Sequence, residues 1–204
     1  MKLYDSIGPN PHVVRMVAAE KGIALETIKV DLMGGENRRS DYAAKNPAGT
    51  TPALELADGS HLAEITVIAE YLEELHPTPP LIGTTPEMRA ETRMWTRRID
   101  LGIVEPMTNG FRAAEGRKLF EPRMLLVGAE GAAELKAMAR AKLLWLDGQL
   151  AGRTYVCGDR FTLADILLYA FVSFGSTVGQ PLPTEAAWLP GWFERVKARP
   201  SAAA

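Results

Sequence analysis

The segment His76-Pro77-Thr78-Pro79-Pro80 sets the frame for the rest of this 204-residue chain. Proline has no main-chain donor and fixes φ at about −65°, so three prolines in five residues fit neither a helix interior nor a central strand. They read as a stiff linker. The patterns on its two sides differ. Before it, short alternating runs take turns with helical ones; after it, every periodic stretch is helical. Two domains are expected, residues 1–76 and 86–204, joined by 77–85.

In the first part, Lys2 to Asp5 reads as a strand, ended by the turn-rich Ser6-Ile7-Gly8-Pro9-Asn10-Pro11. Val13, Val14, Met16, Val17 and Ala18 supply the apolar stripe of a helix, closed at Lys21-Gly22. Leu25 to Val30 alternates as a second strand. A polar loop follows over 31–39, then a short helix around 40–45. Strand Ala53–Leu56, the turn Asp58-Gly59 and strand His61–Ala63 form a hairpin. Ile65 to Leu75 closes this part as an amphipathic helix, with Ile65, Ile68, Ala69 and Leu72 at helical spacing. The order βαβ-α-ββ-α describes a thioredoxin-like α/β domain. Beyond the linker the spacing predicts one helix from Pro86 to about Ala114 and another from about Ala132 to Leu150. Thr162-Leu163-Ala164-Asp165 reads as a capping box opening a buried helix through Phe174, and a last helix runs from about Leu189 to Ala198. The fold class is α/β plus all-α.

Composition narrows the partners. A net charge of −2 gives no electrostatic case for nucleic acid or an anionic membrane. No apolar run has the length to span a bilayer, and the start of the chain turns acidic too soon for a signal peptide. The single cysteine, Cys157, excludes an internal disulfide and a Cys-x-x-Cys pair, and reads as an inert core thiol. His12, His61 and His76 lack metal-ligand spacing, so no metal is expected. The expected location is the cytoplasm.

Two stretches carry the chemistry. In Asn46-Pro47-Ala48-Gly49-Thr50-Thr51-Pro52-Ala53-Leu54, Pro52 belongs at a strand's first residue or on an edge. A cis Thr51–Pro52 bond would turn the Thr51 main chain outward to pair with an extended ligand; an ordinary trans proline entering a strand is the alternative. The loop Ser6 to His12 leads into a helix start, whose free N–H groups and dipole favour an anion, a thiolate in particular. No cysteine lies there, so such a thiol must come from outside. A plain strand–helix connection is the alternative.

The Asn46–Leu54 stretch resembles the Asn-Pro-x-Gly-x-x-Pro-x-Leu signature before strand three of the cytosolic glutathione transferases. The rest of the chain is similar to that family, of bacterial type, with a beta-, theta- or nu-like N-terminal motif. The resemblance implies a glutathione transferase that activates its co-substrate, glutathione, as a thiolate for attack on a small apolar electrophile. It implies that Thr51 and Pro52 pair with the extended tripeptide and that Glu64 pairs with the amino group of its γ-glutamyl end; helix capping is the structural alternative for Glu64. Ile65 stands where the family normally has serine and keeps the N–H donor, while Thr66 offers a hydroxyl. Asn37 and Arg38 stand where theta enzymes place a polar or basic pair, which suits the glycine carboxylate.

For the sulfur, beta-class enzymes carry a cysteine where this chain has Asn10, and theta and zeta enzymes a serine near Gly8 or Pro9. Pro9-Asn10 resembles the Pro-Asn of nu-class enzymes, whose amide approaches the sulfur. Tyr4 stands at the place of the catalytic tyrosine of alpha, mu and pi enzymes. Asn10, Ser6 and Tyr4 are therefore the candidates. Met94, Arg98, Ile99, Gly102, Ile103 and Met107 lie near where family members bind the second substrate, so the helical domain would contribute that site; a core stripe is the alternative. A homodimer is expected. Two other activities stay open: a glutathione-dependent disulfide reductase or peroxidase of nu-like type, and a non-catalytic glutathione-binding stress protein.

Overall fold

The computed structural model describes every residue from Met1 to Ala204. The chain divides into two units, Met1–Ile82 with Arg199–Ala204, and Gly83–Ala198. The first contains β1 (Lys2–Asp5), α1 (Pro9–Glu20), β2 (Glu26–Lys29), a 3₁₀ turn (Glu36–Arg38), α2 (Ser40–Ala43), β3 (Ala53–Glu55), β4 (His61–Leu62) and α3 (Ile65–Leu75). The sheet order is β2-β1-β3-β4; β1 is parallel to β2, and β3 is antiparallel to both β1 and β4. It follows that β1 and β4 run the same way, each straight into a helix.

Alternation along the strands decides their two faces. Leu3 sits opposite Leu54, and Tyr4 opposite Ala53. All four are buried, and Tyr4 and Ala53 form one apolar cluster with Val30 and Tyr42. On α1, Val13, Val14, Met16, Val17 and Ala18 are buried; on α3, which packs against it, Ile68, Ala69 and Leu72. The strands are shorter than their alternation suggests. β3 stops at Glu55 because the Leu56 N–H donates to the Ser60 carbonyl at 2.8 Å and closes the hairpin turn.

A buried ion pair, invisible to periodicity, closes the far end of this unit. Lys21 and Glu73 have side chains 0% and 2% exposed and meet at 2.5 Å. The Lys21 ammonium also donates to the carbonyls of His76 and Pro79, at 2.7 and 2.9 Å. The Glu73 carboxylate accepts from the N–H groups of Leu81 and Ile82, at 3.1 and 3.0 Å. Both charges thus have a full set of partners, the condition under which a buried pair is tolerated. The proline-rich segment is consequently folded back onto the ends of α1 and α3. A 3₁₀ turn at the end of the chain (Pro200–Ala203) also returns here. Arg199 and Ser201 donate to Glu20, and the Ala202 carbonyl lies 3.0 Å from His12 Nε2.

The second unit is all helical: α4 (Pro86–Ile99), a π-helical turn (Asp100–Val104), α5 (Glu105–Ala113), α6 (Arg117–Phe120), α7 (Ala129–Gln149), α8 (Leu163–Thr177) and α9 (Leu189–Lys197). The single helix expected over 86–114 is interrupted. Pro106 has no N–H, and its ring would crowd the Gly102 carbonyl in a regular helix. The chain widens just before it, with the Glu105 N–H reaching back to the Asp100 carbonyl. The capping box at Thr162–Asp165 is present in both directions. Asp165 is 0% exposed and accepts from the N–H groups of Thr162 and Val156 and from Trp192 Nε1, each at 2.9 Å. Burial outweighs these donors and pushes its pKa up to about 6. Cys157 is buried, and burial pushes its thiol up as well. No helix is long and apolar enough to cross a membrane.

Replacing either member of the Lys21–Glu73 pair leaves its partner as an uncompensated buried charge. Lys21→Met and Glu73→Gln are each expected to lower the unfolding free energy by about 3–5 kcal/mol in urea titrations, and the Lys21→Met/Glu73→Leu double variant by less than the sum. Single losses below about 1 kcal/mol would show that the pair does not hold the unit together.

Candidate functional site

The strand registers gather the candidate residues at one end of the sheet. Pairing of β1 with β3 ends at Tyr4 opposite Ala53. Two residues further on, Ser6 opposes Thr51, and their hydroxyl oxygens are 2.5 Å apart. Pairing of β3 with β4 places Leu54 opposite Leu62, so continuing that register sets Pro52 opposite Glu64. The Thr51–Pro52 peptide bond is cis. Because β1 and β4 are parallel, α1 and α3 both begin at this end and direct the positive ends of their dipoles toward it. Pro9 and Pro11 have no N–H, so among the first three residues of α1 Asn10 alone carries a main-chain donor. In α3 the Ile68 N–H already donates to the Glu64 carbonyl at 2.9 Å, leaving those of Ile65, Thr66 and Val67 without helical acceptors.

Three side chains fix the loop ahead of β3: Tyr42, to which the sequence did not point, Asn46 of the signature, and Asn37, expected as a ligand contact. The Thr50 carbonyl accepts from the Tyr42 hydroxyl at 2.6 Å and from Asn46 Nδ2 at 2.8 Å. Asn46 is buried, and its Oδ1 accepts the Ala48 N–H at 3.2 Å, closing an Asx turn over Pro47. Burial pushes the Tyr42 phenol up to about 12, so it remains a donor. The Asn37 amide donates to the Gly49 carbonyl. Gly49 has φ +63°, and a Cβ there would stand 3.1 Å from the Asn37 carbonyl oxygen and 3.5 Å from Arg38 Cδ. Only glycine lets the two segments approach so closely. The effect is to hold Gly49 and Thr50 firmly while the N–H and C=O of Thr51 join neither the strand ladder nor the loop bonds.

The individual side chains separate into committed and uncommitted groups. Ser6 is buried, its hydroxyl shared between Thr51 and the Ile7 carbonyl. Tyr4 donates to Glu55 Oε2 at 2.7 Å, and Lys2 donates to Glu55 Oε1 at 2.8 Å. Burial first, then Glu55, pushes the Tyr4 phenol above its ordinary pKa; Lys2 and Tyr4 hold the Glu55 carboxyl down at about 2. Such a phenol is a poor source of tyrosinate. Asn37 is buried as a support of the loop, with its Oδ1 lacking a partner. Arg38 is exposed, its stem running beside Gly49.

Asn10, by contrast, is the second residue of α1, and its amide makes no hydrogen bond within the chain. Glu64 is exposed at the start of α3, and its side chain takes no capping hydrogen bond. It is also the only non-glycine residue with positive φ, at 69°. A conformation of that kind costs about 1–3 kcal/mol, persists only where the surrounding structure holds it, and is concentrated at functional sites. The stripe along α4 and α5 divides too. Ile99, Ile103 and Met107 are core residues, whereas Met94 and Arg98 are exposed, Arg98 lying 4.9 Å over the Trp95 ring.

Comparison with known proteins follows the same two-part organisation. The family described as glutathione S-transferase, N-terminal domain, matches residues 7–75, and that described as glutathione S-transferase, C-terminal domain, matches 126–200. The chain is 34% identical to glutathione S-transferase 2 of Saccharomyces cerevisiae, over 98% of this chain and 87% of that protein. Among solved structures it is similar to a glutathione S-transferase domain-containing protein of Marinobacter aquaeolei VT8, with 37% identity, a TM-score of 0.92, and 99% and 100% of the two chains covered. Gtt2 from Saccharomyces cerevisiae gives 33% identity and a TM-score of 0.92, covering 100% of this chain and 99% of that one.

Proposed function

The chain belongs to the glutathione S-transferase family, and on that premise we propose that it holds glutathione along Thr51 and Pro52, with the sulfur at the start of α1, and transfers it to a small apolar electrophile. The observation that carries this reading is Glu64, a carboxylate kept in a costly backbone conformation without serving as a cap. Helix capping would explain an acid at this place only if the side chain accepted an N–H, which it does not. A ligand cation explains both its position and its lack of partners. The α-amino group of the γ-glutamyl end is that cation in the proposed complex.

The remaining contacts follow from the geometry around Thr51. The γ-glutamyl carboxylate takes the open N–H groups of Ile65 and Thr66, with the Thr66 hydroxyl nearby. The Thr51 main chain pairs with the cysteinyl residue as an edge strand would. Arg38 takes the glycine carboxylate in its two-pronged fork, while Asn37 supports the loop. A thiol of ordinary pKa, about 8.5, drops by a unit or more at a helix N-terminus. Its proton leaves to water, and the Asn10 amide donates a hydrogen bond to the thiolate without acting as a base. The sulfur then forms the new carbon–sulfur bond as the leaving group departs with its electron pair. Ser6 and Tyr4 act at one remove, Ser6 by holding Thr51 and Tyr4 by holding Glu55. In this reading the enzyme is a cytoplasmic homodimer that detoxifies apolar electrophiles.

Glu64→Gln is expected to weaken glutathione binding about tenfold or more in calorimetric titration while leaving the thermal midpoint in place. A purely structural acid would give the reverse, a lowered midpoint and unchanged affinity. Asn10→Ala is expected to raise the pKa of the bound thiol, read from thiolate absorbance against pH, and to slow conjugation of a chloronitroarene in proportion. An unaltered pKa removes Asn10 from the sulfur. Turnover of hydroxyethyl disulfide with no conjugation would instead establish the reductase reading that Pro9-Asn10 suggests.

A further inference from the structure

The start of α1 has little to hold it from within. Gly8 stands at its N-cap with φ 112° and gives no side-chain hydrogen bond, and Asn10 is the one main-chain donor among the first three residues. A hydrogen bond weakens steeply with distance and angle, so a sulfur served by that N–H depends on where the first turn lies. The ion pairs of the helix lie further on, Arg15 with Asp5 and Lys21 with Glu73. A different contact reaches the first turn. His12 Nε2 is 3.0 Å from the carbonyl of Ala202, 190 residues away in sequence. A carbonyl only accepts, so Nε2 carries the proton. Burial outweighs the Ala202 carbonyl and, with Arg15, pulls the His12 pKa below its ordinary value, so the ring is neutral at neutral pH.

The turn that carries Ala202 is anchored in its own right. Glu20, in the last turn of α1, has a side chain 10% exposed and receives two arms of the Arg199 guanidinium, Nε at 2.8 Å and Nη2 at 2.7 Å, together with the buried Ser201 hydroxyl. Burial works against the charge, yet Arg199 and Ser201 hold the Glu20 carboxyl below its ordinary pKa, which keeps the fork closed at neutral pH. His12 and Glu20 share one flank of the helix and stand about 12 Å apart along its axis. Residues 199–202 therefore brace α1 from its last turn to its first. Asn10 is about 200° around the axis from His12, on the opposite flank. We infer that this brace sets the position of the first turn of α1, and with it the donor that the Asn10 N–H offers a sulfur. His12, Glu20 and Arg199 are then positioning residues for the transfer, acting through α1 without touching the ligand. The inference rests on the glutathione placement proposed above.

The test uses the full chain, free for one readout and with glutathione for the other. Arg199→Met removes the fork, His12→Phe keeps a ring without a donor, and His12→Gln keeps a donor. In the free protein, amide hydrogen exchange at Val13 and Val14 is expected to quicken about tenfold in Arg199→Met and His12→Phe, with Ile68 and Ala69 of α3 unchanged and His12→Gln close to the wild type. The pKa of the bound glutathione thiol, read from thiolate absorbance against pH, is expected to rise by about half a unit or more in the same two variants. Below that pKa kcat falls in proportion, while the affinity for S-methylglutathione stays within about twofold. Unchanged exchange at Val13 and Val14, exchange quickened equally throughout the unit, or a lowered thiol pKa that neither variant moves overturns the brace. An ordinary thiol pKa in the wild type overturns the glutathione placement together with the role drawn from it. The exchange readout, which needs no ligand, tells the two failures apart.

Discussion

The direction of two strands governs what the first unit can do. β3 lies between β1 and β4 and runs against both, so β1 and β4 leave the sheet at the same end, and each becomes a helix at once. Two helix N-termini therefore open side by side where β3 begins. That single arrangement creates a region of unsatisfied N–H groups beside the main chain of Thr51. In the proposed complex an extended ligand carrying a carboxylate at one end and a thiol in its middle meets donors at both places.

The same two helices are locked at their other ends. Lys21 at the close of α1 and Glu73 near the close of α3 share a buried ion pair and take up the carbonyl and N–H groups of 76–82. Lys21 suits the negative end of the α1 dipole; Glu73 opposes that of α3 and is retained through Lys21 and two main-chain donors. With the C-terminal ends fixed, the N-terminal ends are held still. Strain then appears where a ligand would be held, at Glu64, and the hydrogen-bonded supports Tyr42, Asn46 and Asn37 stand one step behind, on the loop that presents Thr51. In the proposed complex the division is one of labour: buried polar groups position, and exposed ones bind.

Much of this was legible in the residues. The helix over Ile65–Leu75 follows its apolar spacing, and the capping box at Thr162–Asp165 forms in both directions. The Asn46–Leu54 stretch marked the entry to β3, since two prolines and a glycine leave the backbone few conformations there. What stayed hidden depended on residues far apart in the chain. Lys21 reads locally as a helix end, and nothing in its neighbourhood announces Glu73. Tyr42 reads only as part of a short helix and Asn46 only as the first residue of the signature, until the Thr50 carbonyl arrives between them. The break before Pro106 was missed, because the periodicity of Ile99, Ile103 and Met107 runs through it and the π turn keeps those side chains in the core. The short α6 and the returning turn Pro200–Ala203 carry too few residues for any period to show.

In the proposed complex glutathione lies against Thr51 with its γ-glutamyl end at the start of α3 and its sulfur at the start of α1. Titrating isotope-labelled protein with S-methylglutathione, which keeps the peptide and removes the acidic thiol, reads this directly through the amide resonances. With this placement the N–H signals of Thr51, Ile65, Thr66 and Asn10 are expected to shift together and saturate at one ligand per chain, while those of Lys21 and Glu73 stay in place. Saturable binding that leaves Thr51 and Ile65 unmoved would contradict it.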